Sequence, residues 1–475
     1  MSRLWTSQAL VAAMDGRPLG PMPEGVGGIS IDTRSLQPGD AFFAVKGETM
    51  DGHDFATAAM KAGAGVLVVA EGKLPALGRL TAPMIVVPDV LEALERLGRA
   101  ARARSSAKII AVTGSVGKTS TKEALRLGLS AVGKVHASDK SFNNHWGVPL
   151  TLARMPADCD YAVFEIGMNH PDEIRPLVKM VRPHIAIITL IAAAHLGFFR
   201  SLEEIAKAKA EIFEGLEPGG TALLNRDDPR SKLLEKMAVA AGVKNIAGFG
   251  ENARSTYRLL DYTLQADHSD ITARISGQEI AARIGAPGRH IVQNAVAVLG
   301  AAHLAGADIV KVAQALGSLS AEPGRGRRHT LRHPDGPFTL IDESYNANPA
   351  SMAAALALLN ATPVSGQGRR IAVLGDMLEL GTHSAKLHAG LAGLIVGTGV
   401  QTVFLGGPEM KALAEALPGD IATAYRDGAE ELKPVLLNAV GPGDVVMVKS
   451  SKGIGFSKLV DALLKKFPAQ AKTPH

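Results

Sequence analysis

Residues 108–123 read KIIAVTGSVGKTSTKE, the order of a phosphate-binding loop. An apolar run (109–112) precedes a glycine-bearing turn, and the letters GKTS (117–120) then open a helix. Backbone N–H groups at such a helix N-terminus face an anion, and glycines let the backbone approach it closely. Lys118 would reach the terminal phosphates, and the Thr119 hydroxyl would bind magnesium. The segment therefore predicts binding of a nucleoside triphosphate.

The loop is a shortened variant of the usual spacing. Val112 stands where the first glycine of the common pattern would be, and the turn glycine is Gly114 instead. A glycine turn followed by a surface lysine would also give these letters, but the strand before it and the helix after it favour the phosphate loop. The expected nucleotide ligands in this loop are Gly114, Ser115, Gly117, Lys118, Thr119 and Ser120.

A helix predicted over residues 201–214 carries a lysine on its apolar face. Ser201 with Glu204 three residues later forms a capping box. At about 100° per residue, Lys207 lies on the acidic side, whereas Lys209 lies in the middle of the apolar stripe. A lysine in that position must extend its ammonium to solvent, pair with an anion, or be chemically modified.

Two further polar residues follow strands of the same predicted sheet. Glu165 is at the end of a strand predicted over 161–166, and His195 follows a strand predicted over 185–190. In a doubly wound parallel sheet both lie at the carboxyl edge, where ligands bind. A carboxylate, an imidazole and a buried lysine (Lys209) beside a nucleotide indicate metal-assisted phosphoryl transfer.

Composition narrows the class of protein. The chain has 475 residues, so roughly two to four domains are expected. A net charge of +5 without a basic run does not indicate a nucleic-acid partner. The single cysteine, Cys159, excludes an internal disulfide and favours a reducing cytoplasm. Residues 4–14 read as an amphipathic helix ending at Gly16 rather than a signal peptide, and no stretch is long and apolar enough to span a membrane.

Alternating apolar strands and alanine-rich helices predict an α/β protein with three domains. We expect a small N-terminal α/β domain at 1–85, a central domain with a P-loop-type parallel sheet at 86–320, and a C-terminal Rossmann-like domain at 321–475. Residues 254–284 alternate apolar and polar positions and predict an inserted antiparallel patch. Residues 322–328 are expected to form a linker in which Arg327 and Arg328 are solvated.

Several motifs together resemble the Mur ligases of peptidoglycan synthesis, over essentially the whole chain and in that family's three-domain order. The matching segments are 113–119 (TGSVGKT), 141–144 (SFNN) with 147–149 (GVP), 164–170 (FEIGMNH) and 207–213 (KAKAEIF). In the third domain, 345–349 (YNANP) and 374–381 (LGDMLELG) resemble the member that adds D-alanyl-D-alanine to UDP-N-acetylmuramoyl-tripeptide. The Asp-Asn-Pro-Arg motif of the diaminopimelate-adding member is absent.

The resemblance implies an ATP-dependent, ADP-forming amide ligase that acts through an acyl phosphate in the cytoplasm. Its expected substrates are UDP-N-acetylmuramoyl-tripeptide and D-alanyl-D-alanine, with no nucleic-acid or membrane partner, and we expect a monomer. Such a step would serve cell-wall biogenesis, cell shape and cell division. The sequence leaves open whether the tripeptide ends in meso-diaminopimelate or lysine. Two alternatives also stay open at this point: a related ligase, such as another Mur-type enzyme or a folylpolyglutamate synthase, and a nucleotide-switch protein.

The resemblance also implies roles for individual residues. Two magnesium ions are expected, with a carbamylated Lys209 as an anionic bridge between them. The expected catalytic residues are Lys118, Glu165, His195 and Lys209, and the metal ligands are Thr119, Glu165, His195 and Lys209. Further nucleotide contacts are expected from Asn294 to adenine, Arg325 to phosphates, and Asp342 and Glu343 to ribose. Expected substrate contacts are Thr33, Arg34, Ser35 and Gly47 around UDP, and Asn143, Asn144, Tyr345, Asn346 and Asn348 in the cleft.

Overall fold

The computed structural model describes residues 3–78, 80–139 and 141–469. Three α/β units follow one another along the chain, each with its own mostly parallel sheet. The three-domain α/β architecture predicted from the sequence is confirmed. None of the helices in the described ranges is both long and apolar enough to span a bilayer.

The N-terminal unit contains strands β1 (Trp5–Thr6), β2 (Arg17–Leu19), β3 (Gly25–Val26), β4 (Ile29–Ser30), β5 (Ala41–Phe43), β6 (Val66–Ala70) and β7 (Met84–Val87), and helices α1 (Ser7–Met14), α2 (Ala56–Lys61), α3 (Leu74–Leu77) and α4 (Val90–Ala103). Its main sheet has the order β2-β7-β6-β5-β4. Alternate strand residues pack on α1 and α4 on one face and on α2 and α3 on the other. Strand β7 pairs with β6, so this sheet extends past the boundary that we expected at residue 85.

The central unit contains strands β8 (Lys108–Thr113), β9 (Val135–Ala137), β10 (Tyr161–Glu165), β11 (Ile185–Ile188), β12 (Thr221–Asn225), β13 (Asn245–Gly250), β14 (Tyr257–Leu264), β15 (Ser269–Ile275) and β16 (Gln278–Ile284). Its helices are α5 (Lys118–Ser130), α6 (Gly147–Ala153), α7 (Ile174–Val181), α8 (Leu202–Ala210), α9 (Ser231–Ala240), α10 (Arg289–Leu304) and α11 (Ile309–Ala315). The sheet order is β16-β15-β14-β13-β12-β11-β8-β10-β9. Because β11, β8 and β10 are neighbours and parallel, the segments that follow them meet at one edge.

Two elements of the central unit differ from the prediction. The antiparallel patch is not a separate insertion, because β14 pairs in parallel with β13 and continues the central sheet. The helix expected over 201–214 ends as α8 at Ala210 and continues as a 3₁₀ segment, Glu211–Gly215. The Glu211 carboxylate accepts hydrogen bonds from two backbone N–H groups at the start of the α7 region, which fixes this turn against α7.

The third unit contains strands β17 (Arg327–His333), β18 (Gly336–Glu343), β19 (Arg370–Gly375), β20 (Thr402–Gly406), β21 (Ala422–Arg426) and β22 (Val445–Lys449), and helices α12 (Pro349–Ala361), α13 (Ser384–Ala389), α14 (Leu391–Val396), α15 (Lys411–Ala416), α16 (Ala429–Ala439) and α17 (Ser457–Lys466). The order is β17-β18-β22-β19-β20-β21, parallel except for β17. The prediction of a solvated linker over 322–328 is wrong for its last two residues, which belong to a strand. Arg327 begins β17, and the half-buried Arg328 donates a hydrogen bond to the Thr362 hydroxyl at 3.0 Å.

Candidate active site

The loop between β8 and α5 is held against the segment that follows β11. The N–H of Ser115 donates to the Leu190 carbonyl at 2.7 Å. Lys118 folds back so that its Nζ donates to the Gly114 carbonyl, also at 2.7 Å. Ser115 lines a cavity between the central and third units, called the main cavity below because it contains the phosphate loop. Its hydroxyl is buried without a hydrogen-bond partner among the described residues. An oxyanion would supply the missing partner, so the loop has the geometry of an anion site.

Gly117 is in close contact with a residue of α10. Its φ is 91°, and a Cβ built at this position would lie 2.7 Å from Nδ2 of Asn294. Asn294 is half-buried, so it is not an ordinary exposed helix position. The structure places this amide against the phosphate loop, and its contact with adenine stays a prediction.

Replacing Gly117 by alanine is expected to weaken ADP binding about tenfold or more, because the loop or Asn294 must move. Gly219→Ala is the matched control: its φ is 80° and nothing lies within 4 Å of the added Cβ. Both variants should lose about 1–2 kcal/mol of folding free energy from the left-handed backbone. Calorimetric ADP titration and thermal unfolding separate the two effects. Equal ADP affinity in both variants would contradict the close-approach argument.

Thr119 and Glu165 are both buried, and their side-chain oxygens form a cluster that lines the cavity. The Thr119 hydroxyl donates to Oε2 of Glu165 at 2.9 Å, and Nδ2 of Asn143 donates to Oε1 at 2.7 Å. Glu165 is only 1% exposed. The hydroxyl of Ser120, in contrast, is turned back onto the Gly117 carbonyl at 3.2 Å. Hydroxyl and carboxylate oxygens are the donors that Mg²⁺ prefers, so this cluster fits that ion.

Lys209 is buried, as the helical pattern predicted, whereas Lys207 on the same helix is exposed. Burial, and secondarily the positive charge of Lys118, holds the pKa of the Lys209 ammonium well below its usual value. Desolvation disfavours the charged form, so the neutral amine is favoured. The charge of Glu165 in turn raises the pKa of Lys118, so Lys118, Glu165 and Lys209 lie within electrostatic reach of one another. Lys118 and Glu165 line the cavity, whereas Lys209 is not among its lining residues.

His195 lines the cavity on the loop after β11, and its partner comes from the third unit. Its Nδ1 is in hydrogen-bond contact with the carboxylate of Glu379, which lies in the segment after β19. The His195 hydrogen bond holds the pKa of Glu379 below its usual value. The sequence motif at 374–381 contains Glu379, but nothing in its spacing indicated a contact with a residue of the central unit.

The third unit brings a cation and an aromatic ring to the phosphate loop. The Arg325 guanidinium lies 4.2 Å from the centre of the Tyr345 ring. The Tyr345 hydroxyl donates to the Ser141 hydroxyl of the central unit at 3.0 Å. Burial lowers the pKa of Lys118, and the charge of Arg325 adds to this effect, so the two cations face the same space.

A second group of third-unit residues surrounds Lys449. Its buried ammonium donates to Glu343 at 3.1 Å and to the Asn346 carbonyl at 3.0 Å. Asn348 caps the start of α12 and also lines the cavity. Lys449 and Lys452 were not among the expected site residues, although both line the cavity. The only signal for them was the polar run KSSK (449–452) at the end of a strand.

Two residues expected to bind ligand make hydrogen bonds within the protein, and their ligand contacts stay a prediction. The Asp342 carboxylate accepts hydrogen bonds from the Gly324 N–H at 2.7 Å and from the Ser344 hydroxyl at 2.6 Å. The Asn144 side-chain oxygen accepts from the Gly147 N–H at 3.0 Å, at the start of α6. Neither is among the residues that line the main cavity. Their positions do not favour the expected contacts with ribose and substrate.

The residues expected around UDP lie away from this cavity. Thr33, Arg34 and Ser35 follow β4, and Gly47 follows β5. Since β4 and β5 are adjacent and parallel, both loops are at the same sheet edge. The exposed Arg34 is paired with the Asp32 carboxylate, with a shortest distance of 2.6 Å.

The main cavity has a volume of about 360 Å³ and is bounded by both the central and the third unit. A neighbouring cavity of about 430 Å³ lies between β12, the start of α10 and α12. His290 and Ala354 line both, so the two cavities are adjacent. Burial lowers the pKa of His290, so a neutral imidazole lies between them. The phosphate loop lines only the first cavity.

Three family models match the chain in this order: the Mur ligase family catalytic domain at 25–102, the Mur ligase middle domain at 112–302, and the Mur ligase glutamate ligase domain at 326–452. The chain is 34% identical to UDP-N-acetylmuramoyl-tripeptide--D-alanyl-D-alanine ligase of Rickettsia prowazekii (strain Madrid E), over 91% of this chain and 94% of the relative.

Solved structures give the same result. MurF from Acinetobacter baumannii matches with a TM-score of 0.83 and 29% identity, covering 97% of this chain and 99% of the other. MurF ligase from Thermotoga maritima in complex with ADP matches with a TM-score of 0.75 and 26% identity, covering 92% and 97%. Similarity of this extent, in sequence and in fold, places the whole chain in one family: it belongs to the Mur ligases.

Proposed function

We propose that this chain is an ATP-dependent, ADP-forming ligase that joins D-alanyl-D-alanine to UDP-N-acetylmuramoyl-tripeptide in peptidoglycan precursor synthesis. The main support for this proposal is the cavity in which the phosphate loop and Glu165 face Arg325, Tyr345 and Lys449 of the third unit. The full-length relatives named for this reaction support the choice over another amide ligase. A nucleotide-switch protein would not need side chains of another unit, such as Arg325, Tyr345 and Lys449, opposite its phosphate loop.

We place the ATP phosphates in the main cavity and the adenosine in the adjoining one. The unpartnered Ser115 hydroxyl and the N-terminus of α5 support the phosphate position. His290 lines both cavities, so the ribose would pass beside it, within reach of Glu343. Arg325 would stabilise phosphate charge from the third unit, as expected from the sequence.

Thr119 and Glu165 would hold a first magnesium ion, and His195 with a carbamylated Lys209 a second. No group of three or more His, Cys, Asp or Glu side chains suited to a metal occurs in the described ranges. Such ions would therefore depend on phosphate oxygens as additional ligands. When bound, they would neutralise charge on the phosphoryl oxygens. The buried Lys209 amine supports modification because a neutral amine is the form that reacts with carbon dioxide.

In the first step, the terminal carboxylate of the tripeptide attacks the γ-phosphorus of ATP. A carboxyl oxygen–phosphorus bond forms and the bond to the ADP oxygen breaks, giving an acyl phosphate. Lys118 and Arg325 would stabilise the charge that spreads over the phosphoryl oxygens. Asn143 would orient the substrate, since it lines the cavity and is itself fixed by Glu165.

In the second step, the free amine of D-alanyl-D-alanine attacks the acyl carbon. The tetrahedral intermediate collapses, the carbon–oxygen bond to phosphate breaks to leave an amide, and the proton lost by the amine passes to the departing phosphate. Tyr345, Asn346 and Asn348 line the third-unit side of the cavity, where the dipeptide would enter. Lys118 and Arg325 would stabilise the oxyanion electrostatically.

We assign UDP binding to the N-terminal unit, which we expected at 1–85 and which continues through β7 and α4 to Ala103, ATP binding to the central unit that follows it up to residue 320, and dipeptide binding to the third unit (321–475). The loops after β4 and β5 support the first assignment, because Thr33–Ser35 and Gly47 share one edge. A cavity completed within one chain supports action as a monomer. The free, buried Cys159 supports a reducing cytoplasm.

The test is phosphate release from ATP and magnesium with each acceptor omitted in turn. We expect release only when UDP-N-acetylmuramoyl-tripeptide and D-alanyl-D-alanine are both present, together with the pentapeptide product by mass spectrometry. Tripeptides ending in meso-diaminopimelate and in lysine should be compared directly. Release that ignores the dipeptide would contradict the proposal and direct the search to single amino acids.

A further inference from the structure

Two residues with left-handed backbone meet where the central and third units touch. His195 has φ of 60°, and Glu379 has φ of 64°. This conformation costs a non-glycine residue about 1–2 kcal/mol, and such strain persists where surrounding contacts impose it. Both residues belong to irregular segments at strand ends, one after β11 and one after β19. The strain is therefore concentrated at a single contact between the units.

The contact involves backbone as well as side chains. The N–H of Gly197 donates to the Glu379 carbonyl at 2.8 Å. Gly381 also touches Gly197: a Cβ built on Gly381 would lie 2.8 Å from the Gly197 Cα. The two segments can approach this closely because both positions lack a side chain. The Glu379 carboxylate then reaches Nδ1 of His195 from the third unit.

The side-chain contact determines how the imidazole can act. With Nδ1 engaged by Glu379, only Nε2 of His195 remains for a ligand in the cavity. A carboxylate on one ring nitrogen fixes the tautomer and raises the basicity of the other nitrogen. His195 is 20% exposed in its side chain and Glu379 43%, so the pair lies at the rim of the site rather than in a core.

We propose that Glu379 is a positioning residue that orients His195 across the interface, so that docking of the third unit completes a ligand set in the central unit. The proposal rests on the ligase function inferred above, in which His195 holds a divalent cation. It predicts that loss of Glu379 acts only through His195.

The test compares Glu379→Ala, Glu379→Gln and Glu415→Ala, the last an exposed glutamate on α15. Binding of Mn²⁺ is measured in the presence of a non-hydrolysable ATP analogue, together with kcat and the KM for each substrate. For Glu379→Ala we expect Mn²⁺ affinity and kcat to fall about 10- to 100-fold, with the KM for ATP and the thermal stability nearly unchanged. Glu379→Gln, which still reaches the imidazole, should recover part of the loss, and Glu415→Ala should match the wild type.

A double-mutant cycle with His195→Ala tests whether the effect of Glu379 on Mn²⁺ binding passes through His195. If Glu379 acts through His195, adding Glu379→Ala to His195→Ala produces no further loss of Mn²⁺ affinity. Wild-type Mn²⁺ affinity in Glu379→Ala, or additive losses in the double mutant, would overturn the proposal. The Mn²⁺ measurement needs no acceptor substrate, so it distinguishes failure of this inference from failure of the proposed ligase reaction.

Discussion

Lys209→Ala is expected to lower kcat about a thousandfold or more, because it would remove the proposed carbamate, whose metal contacts would contribute several kcal/mol to the transition state. The side chain is 1% exposed on α8, and burial favours its neutral amine, the form that can take up carbon dioxide. Steady-state assays at saturating substrates measure the loss. The KM for UDP-N-acetylmuramoyl-tripeptide should change little, since the UDP site is remote.

Lys207→Ala is the control for that experiment. It truncates a lysine two residues away on the exposed side of the same helix, so both variants shorten one lysine side chain of α8 to a methyl group. Lys207→Ala should keep wild-type activity. Incubating the wild type with isotope-labelled bicarbonate should give a carbamate signal by NMR that Lys209→Ala lacks and Lys207→Ala retains. Full activity in Lys209→Ala would refute the bridging role.

Glu165→Gln should have the second large effect, a fall in kcat/KM of about 100- to 1000-fold, because the buried carboxylate that we propose as a metal ligand becomes neutral. The substitution conserves shape, but an amide nitrogen would now face either the Thr119 hydroxyl or the Asn143 amide, both of which donate to Glu165. We therefore expect weaker Mg²⁺ binding, so that activity needs a higher magnesium concentration, as well as slower turnover. Titrating activity against magnesium concentration measures both.

Glu235→Gln provides the comparison for Glu165→Gln. Glu235 lies on α9 and pairs with Arg226 at 2.7 Å, away from the cavity, so its loss should leave the magnesium titration unchanged. A surface pair of this kind contributes at most about 1 kcal/mol to stability. If both glutamine variants showed the same magnesium dependence as the wild type, Glu165 would not be a metal ligand.

The sequence indicated the central site well because its signals are local. The phosphate loop is a continuous motif, and the apolar stripe of α8 identified Lys209 from residues within two turns. The carboxyl edge of a parallel sheet placed Glu165 near the loop from strand order alone. These predictions depended on periodicity and on chain direction, and neither requires knowledge of how separate domains dock.

The parts that were missed depend on contacts between distant segments. Glu379 reaches His195 only because the third unit is docked on the central one. Strand β17 was not predicted because it is an edge strand of sequence RRHTLRH, which is mostly arginine and histidine and contains no apolar run. For Asp342 and Glu343, strand geometry alone would have improved the prediction. Adjacent strand residues point to opposite faces of the sheet, so only one of the two could line the cavity.

Lys118 and Arg325 approach one another from different units, and the charge of Arg325 helps to lower the pKa of Lys118. The Glu165 carboxylate attracts Lys118, but where no further anion lies between Lys118 and Arg325, their repulsion would oppose closure of the third unit on the central one. A polyphosphate converts the repulsion into two attractions, so closure and nucleotide affinity are thermodynamically linked and each strengthens the other by the same factor. Departure of the phosphate product restores the repulsion. In the proposed reaction cycle, the mutual repulsion of these two positive charges would therefore favour opening of the site once the last anion has left.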